Sequence, residues 1–176
     1  MNEATFVSWH DFYLTMGTAS ASLIGLLFVA LSLNIDAITD DSRDDLRAFA
    51  DQAFSSFSVV LLIAVFFLIP ENGAGILGGL YVVLSFFAGY RIVRRAPAVW
   101  KGRRRGRPGE ATLWRFVLPT AAVLGLFAVG LGLMLGQSSA LYWLVSVIIV
   151  FLMSAARSSW DLLVKVGADR RAKVDA

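Results

Sequence analysis

Apolar residues collect into five stretches, 12–33, 53–69, 75–93, 116–135 and 140–156, and polar or charged residues gather between them. A bilayer's hydrocarbon layer of about 30 Å needs roughly 17 to 25 helical residues, so every stretch is long enough to cross. Backbone amides in lipid must bond within their own segment, which makes each stretch a helix. The pattern therefore predicts an all-α, polytopic integral membrane helical bundle of five transmembrane helices. One membrane domain, 1–176, accounts for the whole sequence, with an acidic stretch at 34–52 and a basic loop at 94–115 as its main polar parts.

Composition agrees: 57% hydrophobic against 16% charged is too apolar for an ordinary soluble domain, and no remaining segment is long enough to bury a core of its own. Charge then sets an orientation. Nine basic residues cluster here: Arg91 at the end of the third stretch, and Arg94, Arg95, Lys101, Arg103, Arg104, Arg105, Arg107 and Arg115 between the third and fourth. By the positive-inside bias they face the cytoplasm, which by alternation puts the amino terminus outside and the carboxyl terminus inside. The expected location is a bacterial inner membrane, in multi-pass form. Arg91, Arg94, Arg95, Arg103, Arg104 and Arg105 are expected to touch anionic lipid headgroups and not nucleic acid, because they adjoin a negative surface and the one aromatic among them, Trp100, reads as an interfacial anchor. Asp36, Asp40, Asp41, Asp44, Asp45 and Asp51 share that side, and pairing with the bases is expected there.

Helix limits follow from caps and stops. Thr39 to Asp45 reads as an N-cap and acidic first turn, starting the second helix near Ser42, and Gly167 offers a stop for the fifth. Gly102, Gly106, Pro108 and Gly109 mark the basic segment as a loop, and Pro119 falls in the opening turns of the fourth helix. The turns at 70–73 and 136–139 make two hairpins of similar length, without any residue-level repeat. Trp9, Trp100, Trp114, Tyr142, Trp143 and Trp160 sit near stretch ends as interfacial anchors.

Candidate chemistry is sparse. Cysteine is absent and His10 is the only histidine, too few ligands for a zinc or haem centre, and no metal or other cofactor is expected. A convergent nucleophile and base are also missing, so the chain does not read as an enzyme. Small residues recur at helix-packing spacing: Gly17, Ala21 and Gly25, then Gly75 with Gly79, and Gly132 with Gly136. Such pairs allow close backbone approach in lipid, within one chain or between copies.

The first stretch carries the most specific signal. Steps of four and three from Asp11 reach Thr15, Thr18, Ser22, Gly25, Val29, Ser32 and Asp36. At 3.6 residues per turn these stay within roughly 100° of arc, while Tyr13, Met16, Ile24, Leu27 and Leu31 fall opposite. The two acids lie about 37 Å apart along the axis, one near each membrane surface. A hydroxyl stripe in hydrocarbon faces a neighbouring helix or water, and repeated around an oligomer axis it would line a path for inorganic cations, with Val29 as its bulkiest member. The expected function is a homo-oligomeric pore or cation channel. The alternative is a non-conducting accessory or regulatory membrane protein that binds a partner through the same face. A transporter ranks lower, since no ionisable residue lies mid-stretch to couple ions.

The opening itself, Trp9-His-Asp-Phe-Tyr followed by Gly17-Thr-Ala-Ser-Ala-Ser-Leu-Ile-Gly-Leu-Leu-Phe-Val-Ala-Leu-Ser-Leu-Asn34, resembles the start of a group of small, uncharacterised bacterial multi-span membrane proteins. The resemblance implies a bacterial origin and carries no activity across.

Overall fold

A computed structural model describes residues 3–35, 44–70, 73–103, 109–137 and 139–174. Five helices account for nearly all of them: α1 Glu3–Ser32, α2 Asp44–Leu68, α3 Ala74–Arg103, α4 Gly109–Met134 and α5 Ala140–Val174. Each contains a window long and apolar enough to cross a membrane, at Trp9–Ser32, Leu46–Leu68, Ala74–Arg94, Val117–Met134 and Ala140–Lys165. Large apolar side chains also cover the outside, among them Leu26, Phe28, Phe86, Phe87 and Trp143. An exposed apolar belt of that extent suits lipid rather than water, as a multi-pass membrane protein would require.

Neighbours in space follow neighbours in sequence except at α2. α1 packs chiefly on α2, α2 on α5, α5 on α4 and α4 on α3, whereas α2 and α3 share only a short contact although they are consecutive. The two hairpins are therefore not equivalent: α4 and α5 pack along their length, and α2 and α3 do not.

Small residues set these pairings. Gly17 of α1 meets Ala64 of α2, with a Cβ built on Gly17 only 3.1 Å from the alanine Cβ, and one turn earlier Tyr13 stacks on Phe67 with ring centroids 3.9 Å apart. Gly125 of α4 takes Val147 of α5, and Gly78 of α3 crosses Gly130 of α4 backbone to backbone. At the opposite end from Tyr13, Phe49, Ala53 and Phe57 of α2 close against Ala155 and Leu162 of α5.

The ends of the bundle are chemically distinct. Trp9, at the start of α1, contacts Tyr142 at the start of α5 with ring centroids 5.2 Å apart. At the other end Arg91 of α3 donates to Asp51 of α2 at 2.5 Å, and the Lys165 ammonium of α5 lies 4.5 Å from the Phe49 ring centre. One expected acid–base pairing is thus formed, and the described basic residues gather at one end.

Several sequence expectations need correction. The basic segment is mostly helical: α3 runs on to Arg103 and α4 starts at Gly109, leaving only 104–108 outside the described residues. Pro119 consequently lies inside α4 and buried, not in its opening turns. Gly167 does not stop α5, which continues to Val174. Helical propagation through one glycine costs only about 1 kcal/mol, which the flanking residues offset. α2 begins at Asp44, close to the acidic start expected near Ser42.

Candidate functional site

α1 is the peripheral helix: 17% of its apolar window is buried, against 33% to 44% in the others. Its packing face is Tyr13, Gly17, Ser20 and Leu27, all buried, with Met16, Ile24 and Leu31 partly so. That is the side expected opposite the polar stripe. The stripe itself, Asp11, Thr15, Thr18, Ser22, Gly25, Val29 and Ser32, is exposed at every position. Asp36 lies outside the described residues. Six polar or small positions and Val29 thus form the outermost line of the helix, turned away from the other described residues.

Three of the four hydroxyls in the stripe are tied back to their own helix. Thr15 Oγ1 donates to the Asp11 carbonyl at 2.7 Å, Thr18 Oγ1 to Leu14 at 2.9 Å and Ser32 Oγ to Phe28 at 2.9 Å. Each bond uses the hydroxyl proton and leaves the oxygen lone pairs as acceptors toward the outside. At one end Asp11 is almost fully exposed, with His10 Nδ1 3.3 Å from its Oδ1. Leu14, Leu26, Phe28 and Leu33, all exposed, flank the stripe as apolar shoulders. Among the described residues no three His, Asp or Glu side chains converge as metal ligands would.

The small residues have divided roles. Gly17 makes its contact inside the chain, whereas Ala21 is exposed and a Cβ on Gly25 would meet nothing within 4 Å. Gly75 and Gly79 are equally open, and the close crossing lies at Gly78 and Gly130, which the small-xxx-small spacing did not select. Gly132 approaches Ala140, with its built Cβ 3.2 Å away. Gly136 serves instead as a helix cap at φ +79°: its N–H donates to Leu133 O at 3.0 Å and that of Gln137 to Gly132 O at 2.9 Å, the 5→2 and 6→1 pair that ends a helix at a left-handed residue.

Of the arginines expected at headgroups, Arg91 is engaged with Asp51 and Arg94 lies 5.7 Å from the Tyr90 ring centre. The side chains of Arg95 and Arg103, and the whole of Arg104 and Arg105, lie outside the described residues. Two polar groups on the packing face have a state that the sequence did not show. The Tyr13 hydroxyl and Ser20 Oγ are both buried without a hydrogen-bond partner.

Comparisons with protein-family models, with curated proteins and with solved structures find no match to this chain.

Proposed function

We propose that several copies of this chain assemble into a membrane pore that conducts inorganic cations, with α1 of each copy lining the path. The observation that carries this reading is the outward placement of the stripe. Copies can turn it to a common axis without any change inside the chain, and 21 residues from Asp11 to Ser32 span about 32 Å, the thickness of the hydrocarbon layer. The hydroxyl oxygens of Thr15, Thr18 and Ser32, whose protons are bound internally, present only lone pairs, which suits a cation and not an anion. Asp11 concentrates cations at one mouth, and Val29 forms the dewetting constriction. In this reading the amino terminus is outside, the arginine-rich end meets the cytoplasmic headgroups of a bacterial inner membrane, and the shoulders Leu26 and Phe28 pack between subunits.

Current across a planar bilayer containing the purified protein tests it. Val29→Ser is expected to raise open probability, and Asp11→Asn to lower cation over anion preference at low salt, where surface charge is least screened. Absence of current at every voltage, pH and tension, or currents indifferent to both substitutions, would refute the pore. The self-bonded hydroxyls and apolar shoulders then favour the second reading, an accessory protein whose α1 docks on a helix of a membrane partner.

A further inference from the structure

A cleft of about 450 Å³ opens on the outer surface between α4 and α5. Ala121, Ala128 and Gly132 line it from α4, and Trp143, Ser146 and Val150 from α5. The cleft exists because the α4 side is built of small residues while α5 still presses in beside it, with Val147 against Gly125 and Ala140 against Gly132. Trp143, largely exposed, rises as one wall. The near end is polar, formed by Gln137 and Ser139.

We propose that this cleft holds one acyl chain of a glycerophospholipid, with the ester region at Gln137 and Ser139. Depth selects the occupant. From Ala121 to Gly132 on α4, and from Ser139, just before α5, to Val150 on it, the trough runs 11 residues, about 16 Å, which is one leaflet of a hydrocarbon layer about 30 Å thick. A crossing helix from another protein would need the full depth, and half of it would find no trough. The polarity gradient matches a lipid as well: amide and hydroxyl donors stand where the ester carbonyls of a leaflet lie, an indole stands at the interface, and apolar or small residues follow inward. Charge does not enter the recognition. Residues 3–13, 69–70, 73–76, 134–137 and 139–143, which make this end of the bundle, contain no Lys or Arg. The chain is therefore gripped by its hydrocarbon and not by its headgroup, and the site requires only that the protein lie in a bilayer, whether or not it conducts.

The test uses the full chain in vesicles of phosphatidylcholine containing a fraction whose acyl chain carries a mid-chain diazirine. After illumination, mass spectrometry maps the labelled residues. Labelling is expected to be several-fold higher on the cleft walls than on the comparably exposed Phe86 and Phe87. Ala128→Phe, which fills the trough from an exposed position, should lower cleft labelling several-fold and leave Phe86 and Phe87 unchanged; Ser146→Phe provides the same block from α5 if the first variant folds poorly. Phosphatidylglycerol with the same diazirine should label equally. The proposal is overturned if labelling merely follows exposure, if neither variant reduces it, if only the anionic lipid labels, or if Trp143 cross-links to a second protein instead.

Discussion

A Cβ on Gly78 of α3 would lie 2.5 Å from the carbonyl oxygen of Gly130 on α4, and a Cβ on Gly130 would lie 2.9 Å from the carbonyl oxygen of Gly78. The obstacle in both directions is backbone, which cannot swing aside as a side chain can. Gly78→Ala or Gly130→Ala should therefore force α3 and α4 apart and cost about 1 to 3 kcal/mol, the range for overpacking a tight contact. Gly75→Ala and Gly79→Ala, with open space around them, should cost nothing and gain slightly in helix propensity. Unfolding in detergent titrated with sodium dodecyl sulfate, followed by circular dichroism, distinguishes the two pairs. Equal effects from all four would contradict the crossing.

Tyr13 anchors α1 by its ring, not by its hydroxyl. The ring is fully buried and stacked on Phe67, and the oxygen has no partner. Removing an unpaired buried hydroxyl relieves a desolvation cost of about 1 to 3 kcal/mol, so Tyr13→Phe should leave stability unchanged or raise it. Tyr13→Ala removes the stacked surface and should cost about 3 to 5 kcal/mol by the cavity it leaves. The same unfolding assay reads both, and a Phe variant as weak as the Ala variant would show that the oxygen is hydrogen-bonded in the membrane.

Assembly can be separated from folding at Gly25. Nothing lies near its side-chain position within the chain, so Gly25→Leu should preserve the protomer, as judged by helicity and unfolding, yet block the close approach of a second copy. Native mass spectrometry of the detergent-solubilised protein is expected to show smaller assemblies for this variant. Gly17→Leu, in contrast, should destabilise the protomer itself, because Ala64 stands against it. An unaltered oligomer in Gly25→Leu would remove this face from any subunit contact.

Orientation is accessible because the chain has no native cysteine. Single cysteines at Gly73 and Gly106 should be labelled from opposite sides of intact cells by a membrane-impermeant maleimide, Gly73 from outside and Gly106 only after permeabilisation. External labelling at Gly106 would invert the arrangement.

Five crossing-length helices, the concentration of arginine in one segment and the narrow line from Asp11 to Ser32 are all properties of order along the chain, and all were legible there. So was the far side of α1, since Tyr13 and Leu27 follow the same 3.6-residue period half a turn away and are indeed buried. Tertiary structure alone decided that α2 turns to α1 and α5 instead of α3, that the stripe faces away from the other described residues, and that the close crossing falls at Gly78 and Gly130 and not at the spaced pairs Gly75 with Gly79 and Gly132 with Gly136. The reason lies in the solvent. In water a helix shows its inner face by the contrast of apolar and polar sides, but a helix among lipids is apolar all round and its partners are chosen by fit of shape, a few tenths of an ångström at a glycine, which no hydropathy pattern records.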